Sequence, residues 1–221
     1  MNVFLAVLWK DLVTEWRSRD RVAAMAVFSL LVVVVLYFAA PPGIGEDARG
    51  HVPGLLWVAT LFASVLGLNR AFALELENEA LSALAMAPVD RGWIFLGKAV
   101  ASLLILLVVL AVTVLVFGLA FGIDFRPVLL RFALVGVLGC AGLCSVGTLF
   151  GAVAVRTTYR EVMLPLLLLP LMVPVILGAV RATSALLVEG TLPASALRLL
   201  IVTDGVFLIL SFLGFEYVLD D

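Results

Sequence analysis

Six long apolar stretches, separated by five short polar interruptions, dominate the amino-acid sequence. A helix needs roughly 20 mostly apolar residues to cross about 30 Å of hydrocarbon, and several of the stretches reach that length. Backbone polar groups in lipid must be satisfied internally, and the alternation of a β-barrel is not seen, so each stretch is predicted to be a helix. The pattern predicts an all-α integral membrane protein with a single membrane domain, 1–221, and spans at about 22–40, 52–68, 99–121, 128–155, 162–180 and 199–215.

The segment before the first span, 1–21, has a different pattern. At 100° per residue, Lys10 and Arg17 fall on one face of a helix. The opposite face is apolar and contains Phe4, Leu5, Leu8, Trp9, Leu12 and Trp16. This arrangement predicts an N-terminal amphipathic interfacial helix, with the Trp rings in the headgroup region and the basic residues towards anionic lipid. A helix packed on a soluble partner is the alternative.

The composition agrees with a membrane protein. Of the 221 residues, 64% are hydrophobic and 14% are charged, and the mean hydropathy is +1.24. These values exclude a soluble globular domain. The formal net charge of −2 provides no basic surface of the kind that binds nucleic acid, so no nucleic-acid partner is expected.

The distribution of Lys and Arg predicts the orientation, because these residues concentrate in the short cytoplasmic loops of membrane proteins. With six spans, both termini lie on the same side as the larger set. That side contains nine basic residues, Lys10, Arg17, Arg19, Arg21, Arg70, Arg91, Lys98, Arg156 and Arg160. The other side contains five, Arg49, Arg126, Arg131, Arg181 and Arg198. Both termini are therefore predicted to be cytoplasmic.

The longest connection on the cytoplasmic side, 69–98, carries an acidic and then an apolar segment. Pro88 ends the helix predicted there, because the residue before a proline disfavours helical geometry. A short helix of this kind suits insertion into a groove on a soluble partner, whereas the alternative is a solvated turn between two spans. The candidate partner-coupling residues are Glu75, Glu79, Leu81, Leu84, Met86, Pro88 and Arg91.

The same connection contains GWIFLGK, which has the glycine and lysine spacing of a phosphate-binding loop. Ala99 stands where a magnesium-binding Ser or Thr is required, and no strand is predicted before the motif. The intervening residues 93–96 are an apolar run that enters the bilayer. Nucleotide binding by this chain is therefore rejected, and any ATP that drives its function is expected in another subunit.

The fourth span has a stripe of small residues. Gly147 and Gly151 form a GxxxG pair, which lets helix backbones approach closely in lipid. The helix that they meet belongs either to this chain or to a partner subunit. The candidate packing residues are Gly136, Cys140, Gly147 and Gly151, which project on one side of the helix.

The fifth span contains three prolines, Pro165, Pro170 and Pro174. Each proline removes one backbone donor and clashes with the preceding turn, so a kinked or broken helix is predicted. Such helices often line a path or form a hinge in membrane proteins, although a purely structural kink is equally compatible with the sequence.

Few polar side chains inside the spans suggest chemistry. Asp204 is placed about one turn from the outer end of the last helix, where it is either a functional carboxylate or one that reaches the interface. Arg131, near the outer end of the fourth span, either pairs with Asp124 or extends its side chain to the interface. His51, the single histidine, is placed in an outer loop without a second ligand. No acid–base pair is visible, so a non-catalytic subunit that binds no metal or cofactor of its own is expected.

Three segments and the amphipathic start resemble one family across essentially the whole chain. They are LELENEALSALAMAPVDRGWIFLGK at 74–98, MLPLLLLPLMVPVILGAV at 163–180 and FEYVLDD at 215–221. The chain resembles the haem exporter protein B family, CcmB, within the type-2 ABC permease group. Glu79 and Ala80 depart from the Gly and Thr usual in the wider group, which weakens the likeness to generic drug exporters. The shared loop positions are Glu75 or Glu79, Leu81, Leu84, Pro88, Arg91, Gly97 and Lys98.

The resemblance implies a permease subunit of a cytochrome c maturation complex in the bacterial inner membrane. It implies an ATP-hydrolysing partner, CcmA, docked on the loop helix, and further partners CcmC and CcmD. It also implies that ATP hydrolysis releases the haem-loaded chaperone CcmE at the outer face, with haem handled by the complex. A generic type-2 exporter of lipid, polysaccharide or drug is the main alternative, and a membrane-embedded enzyme is a third.

Overall fold

A computed structural model describes residues 3–39, 48–77, 90–155 and 160–220. These residues form seven α-helices and contain no strand, which confirms the all-α class. Helices α2 to α7 are long and apolar enough to cross a membrane, and α1 precedes them. A short 3₁₀ turn, Arg126–Val128, comes before α5. The helices are α1 Val3–Ser18, α2 Asp20–Ala39, α3 Ala48–Glu77, α4 Arg91–Phe121, α5 Leu129–Val155, α6 Arg160–Val188 and α7 Ala194–Asp220.

Several helices extend beyond the predicted spans. Helix α3 continues to Glu77, where the apolar stretch ends at 68, and α4 begins at Arg91, where the apolar stretch begins at 99. Asp90 caps α4, since its side chain accepts a hydrogen bond of 2.9 Å from the Gly92 amide. Hydropathy measures the length of helix inside lipid, and it does not register polar turns that continue the same helix. The predicted connection 69–98 is therefore helical at both of its ends.

Helix α5 is the centre of the bundle and contacts α3, α4, α6 and α7. Helix α3 is the second central element and contacts α2, α4, α5 and α6. Helices α2 and α7 are the least buried of the six spanning helices. Their outward side chains are large and apolar, as expected where a helix faces lipid, and include Val27, Leu31, Val34, Phe38, Ile201, Val202, Ile209 and Leu213.

The small residues of α5 pack against helices of the same chain. A Cβ atom added to Gly147 would overlap Leu68 of α3, and one added to Gly151 would overlap Phe72 of the same helix. Gly136 lies against Leu110 of α4, where an added Cβ would be 3.1 Å from Cδ2. Cys140 is fully buried. The sequence left open whether these glycines meet a helix of this chain or one of a partner subunit. In the described structure, helices α3 and α4 of this chain pack against the three glycines.

Helix α6 is continuous from Arg160 to Val188, with Pro165, Pro170 and Pro174 inside it. The helix is therefore not broken at the prolines. Pro165 and Pro174 are partly buried, whereas Pro170 is exposed. A kink in this helix stays a prediction.

A hydrogen bond between two buried side chains links α3 to α6. Trp57 Nε1 donates to Thr183 Oγ1 at 3.0 Å, and both side chains are fully buried. Hydrogen bonds between spanning helices contribute roughly 1 kcal/mol each, because the unfolded chain in the membrane also finds partners. The bond fixes the orientation of the largest side chain in the core.

We expect Thr183→Val to lower the apparent melting temperature by a few degrees, because it removes an acceptor worth roughly 1 kcal/mol while keeping the shape of the side chain. Thr148→Val is the matched control. Thr148 is equally buried, but its hydroxyl has no hydrogen-bond partner among the described residues, so its removal should be neutral or stabilising. Thermal denaturation of detergent-solubilised protein measures both changes. An equal loss in the two variants would contradict the assigned bond.

Candidate functional site: an ion-pair cluster at the α1 end

Four charged side chains meet at the end of the bundle formed by α1, the last turns of α3 and the first turns of α4. We call Lys10, Asp11, Glu75 and Lys98 the ion-pair cluster, and this end of the bundle the α1 end. Lys10 and Asp11 lie on the inward face of α1, next to buried Val7. Glu75 is near the end of α3, and Lys98 is two turns into α4. The cluster therefore joins three helices.

Glu75 is the centre of the ion-pair cluster. Its Oε1 atom accepts a hydrogen bond of 3.0 Å from Lys10 Nζ and a second one from Lys98 Nζ. Asp11 lies 3.0 Å from Lys10 Nζ and 3.9 Å from Lys98 Nζ. Glu75 is 9% exposed and Lys98 5% exposed. Charges at this depth require partners, because removing one partner leaves the other charge without solvation.

Lys10 stays charged in this cluster. Burial alone would lower the pKa of its ammonium group, but the nearby carboxylates of Glu75 and Asp11 outweigh that effect and raise the pKa above its ordinary value. The group is therefore protonated throughout the physiological range. The expectation that Lys10 faces anionic lipid is wrong, since the side chain is directed to Glu75 on α3.

A cavity of about 280 Å³ adjoins the cluster and has room for several water molecules. Arg21 of α2 and Glu75 both line it. Within the described ranges, neither Arg21 Nε nor Glu75 Oε2 has a hydrogen-bond partner, although both atoms are buried. The cavity thus brings a fourth helix and two unused hydrogen-bonding atoms to the cluster.

Two glycines of α4 allow close packing at the α1 end. A Cβ atom added to Gly97 would be 2.9 Å from Val7 Cβ, so α1 lies directly on the backbone of α4. A Cβ atom added to Gly92 would overlap the Phe212 ring of α7. Both glycines of the GWIFLGK segment are inside a helix and have a packing role. Its lysine, Lys98, is paired with Glu75 and lies 5.5 Å from the centre of the Phe72 ring.

The outward face of α1 is aromatic. Leu5, Trp9 and Trp16 are exposed, and the guanidinium group of Arg19 lies 5.5 Å from the centre of the Trp16 ring. Arg19 has a φ of 55°, a left-handed conformation that separates α1 from α2. The fold therefore directs the charged face of α1 to the bundle and leaves the Trp face available to the membrane interface.

The predicted coupling residues fall into two groups. Glu75 belongs to the ion-pair cluster, and Arg91 begins α4, where its Nη1 atom donates to the Glu216 carbonyl oxygen of α7 at 3.3 Å. The sequence pattern did not indicate the pairing of Glu75 with Lys10 and Lys98. A lysine within an apolar helix was the available signal, since such a charge needs a partner. The remaining candidates lie outside the described residues: Glu79, Leu81, Leu84, Met86 and Pro88.

Two of three polar residues away from the α1 end differ from their predicted positions. Asp204 is ten residues after the start of α7, or roughly 15 Å along the axis, and not one turn from its end. His51 is an exposed residue in the first turn of α3, and not part of a loop. Arg131 is near the start of α5, as predicted, and its Nη1 atom donates to the Gly190 carbonyl oxygen at 2.6 Å. The alternative in which Arg131 pairs with Asp124 is absent from the ion pairs of the described residues.

Comparison with known proteins agrees with these features. The family model described as CcmB protein matches residues 2–217. Heme exporter protein B of Paracoccus denitrificans is 33% identical over 177 residues, which are 80% of each chain. Heme exporter protein B of Rhodobacter capsulatus is 31% identical over 172 residues, or 78% of each chain, and that of Pseudomonas aeruginosa is 29% identical over 187 residues, or 82% of each chain. With six helices that can span a membrane and a family match over nearly its whole length, this chain belongs to the CcmB family.

Proposed function

We propose that this chain is the transmembrane permease subunit of an ABC-type complex for c-type cytochrome biogenesis in the bacterial inner membrane. The relatives are named heme exporter protein B, and this name supports haem as the cargo. The six spanning helices and the family membership support the role of a membrane subunit. In this proposal haem is handled by the complex, and the chain itself is non-catalytic and holds no resident cofactor.

The ion-pair cluster is the observation that carries the coupling part of this proposal. Helices α3 and α4 run unbroken to residue 77 and from residue 91, so a force on the connection 78–89 acts directly on two spanning helices. Glu75 and Lys98 tie the two helix ends together, and Lys10 ties both to α1. A displacement of the connection would therefore move three helices as one unit. We infer that a CcmA-like ATPase docks on this connection.

The α1 end is assigned to the cytoplasm in this proposal. Seven basic residues of the larger set lie in the described helices at that end, where Trp9 and Trp16 are exposed: Lys10, Arg17, Arg19, Arg21, Arg70, Arg91 and Lys98. Both termini are then cytoplasmic, and the ATPase has access to the connection 78–89. ATP hydrolysis would drive release of a CcmE-like haem chaperone at the outer face. CcmC-like and CcmD-like membrane proteins complete the proposed complex.

Leu84→Glu tests the docking. We expect this change to reduce recovery of an ABC ATPase with the affinity-purified chain by at least about tenfold, because an added carboxylate in an apolar contact costs well over the 1.4 kcal/mol that tenfold represents. Cytochrome c yield in the native host should fall with it. The matched control is Thr191→Glu, which adds the same charge at an exposed position between α6 and α7. Mass spectrometry of mild-detergent purifications measures the partners.

The outcomes separate the competing functions. Normal ATPase recovery from Leu84→Glu, at normal protein level, would contradict docking through this segment. An ATPase recovered with the unmodified chain, but with no loss of cytochrome c when the chain is deleted, would favour a generic type-2 exporter of lipid, polysaccharide or drug. Failure to recover any ATPase with the unmodified chain would reject the permease function.

A further inference from the structure

Asp204 lies on the face of α7 that packs into the bundle. Leu200, Ser211 and Phe215 on the same face are buried, Asp204 itself is partly buried, and Val202, Val206 and Ile209 on other faces are exposed. Asp204 is ten residues after Ala194. The apolar stretch of α7 begins five residues before Asp204, at 199, which is roughly 8 Å along the axis. The carboxyl group therefore lies inside the apolar part of α7, on the side of the helix that faces the bundle.

A glycine on the neighbouring helix makes the space for this carboxyl group. A Cβ atom added to Gly142 of α5 would overlap Asp204 Oδ1, and it would be 3.0 Å from Cγ2 of Val175 on α6. Asp204 thus occupies a site formed by three helices. Both of its oxygen atoms are buried, and neither has a hydrogen-bond partner in the part of the chain that the structure describes.

No cation in the described ranges compensates a charge on Asp204. The ionisable neighbour on α5 is the thiol of Cys140, which is itself fully buried. On α6 the facing residue is Val175, and Arg181, the charged residue farther along that helix, is exposed. Arg198, on α7 itself, is also exposed. Among the described residues, no ion pair includes Asp204 and neither of its carboxyl oxygens receives a hydrogen bond.

An isolated charge at this depth is far less favourable than a neutral acid, which needs only one hydrogen-bond acceptor. We propose that Asp204 is an intramembrane proton-binding site, where the packing of α7 against Gly142 of α5 holds the carboxyl group in its neutral, protonated form. Loss of the proton to water requires α7 to separate from α5 or a cation to enter the site. Proton occupancy is therefore coupled to the packing of α7, one of the two least buried spanning helices.

A carbodiimide test can distinguish a protonated carboxyl group from an ionised one, and the chain offers two buried carboxyl groups for comparison. A protonated carboxylic acid adds to dicyclohexylcarbodiimide, a hydrophobic reagent, and the adduct rearranges to a stable N-acylurea without loss of atoms. Asp204 is buried without a cation, whereas Glu75 is buried beside Lys10 and Lys98. With the full chain in lipid nanodiscs at neutral pH, we expect at least roughly tenfold more adduct on Asp204 than on Glu75, as measured by peptide mass spectrometry. Equal labelling of the two, or no adduct on Asp204, would overturn the proposal.

Variants at both sides of the site sharpen the test. Asp204→Asn keeps the shape of the neutral acid, so it should elute as a single species at normal yield and lose the adduct. Gly142→Ala should reduce labelling of Asp204, because the new methyl group displaces the carboxyl group from its site. Infrared spectroscopy of the unmodified chain supplies a readout without a chemical label. A carbonyl band from a protonated carboxyl group is expected at neutral pH and should be lost in Asp204→Asn; absence of the band, or its persistence in Asp204→Asn, would reject the proposal.

This inference stands apart from the proposed coupling to an ATPase. Labelling of Asp204 and recovery of an ATPase are separate measurements on the same preparation, so either result can fail alone. The carboxyl group belongs to the packing of α5, α6 and α7, whereas the ion-pair cluster joins α1, α3 and α4.

Discussion

Glu75→Ala is expected to lower the apparent melting temperature of the solubilised protein by roughly ten degrees, through a destabilisation of about 3–5 kcal/mol. The change removes the carboxylate that both Lys10 and Lys98 contact. Lys10 is partly exposed and can turn towards water. Lys98 is buried, and its next carboxylate, that of Asp11, is 3.9 Å away. The destabilisation therefore comes mainly from a buried ammonium group that has lost its partner.

Two further variants distinguish this cause from general damage. Glu75→Leu combined with Lys98→Met removes both charges, and it should recover most of the lost stability because apolar residues often replace a buried ion pair without loss. Asp20→Asn breaks an exposed contact of 3.9 Å with Arg70 and should change stability by less than about 1 kcal/mol. Fluorescence-detected size-exclusion chromatography after heating measures all three variants. A Glu75→Ala variant as stable as Asp20→Asn would show that the cluster carries little energy.

The same variants connect the ion-pair cluster to the proposed function. The double variant is expected to be stable, but its α3 and α4 ends are held by apolar contact and no longer by directed hydrogen bonds. If the cluster transmits motion from the connection 78–89, cytochrome c yield should stay low even though protein level recovers. Recovery of both would confine the cluster to a structural role.

The number of spanning helices followed from the sequence because burial in lipid depends on local apolar length. The helix ends did not follow, because polar turns are stabilised by contacts that are distant along the chain. Glu75 pairs with residues 23 and 65 positions away. An apolar window ends the span before Glu75 and begins the next after Lys98, so it separates two side chains that the fold brings into contact.

The packing of the small residues on α5 could also be predicted only in part from the sequence. The period of the helix predicted that Gly147 and Gly151 share a face, but it could not identify Leu68 and Phe72 as their neighbours. Gly139 is not among the predicted packing residues, although an added Cβ there would overlap the Trp57 ring. Its importance depends on the side chain that a different helix presents. The distance of Asp204 from the start of its helix was underestimated for a simpler reason, since α7 begins at Ala194 and the apolar stretch begins at 199.

Gly139 is the position where added volume should be most harmful. The Trp57 ring against it is fully buried and is fixed by its hydrogen bond to Thr183, so it cannot turn aside. We expect Gly139→Ala to destabilise the protein by about 3 kcal/mol, the upper end of the usual range for overpacking, and to lower the apparent melting temperature by several degrees. Gly139→Leu should prevent accumulation of the folded protein in the membrane.

A graded series tests whether the rigidity of the neighbour sets the effect. At Gly147 the overlapping atom is the end of the Leu68 side chain, which can rotate, so Gly147→Ala should be milder than Gly139→Ala. At Gly205 of α7 nothing lies within 4 Å of an added Cβ, and Gly205→Ala should be neutral or slightly stabilising because alanine favours the helix. Melting temperatures of the three variants should therefore rise in the order 139, 147, 205. If Gly139→Ala were as stable as Gly205→Ala, then α3 could not be packed on α5 through Trp57, and the central contact of the bundle would have to be reassigned.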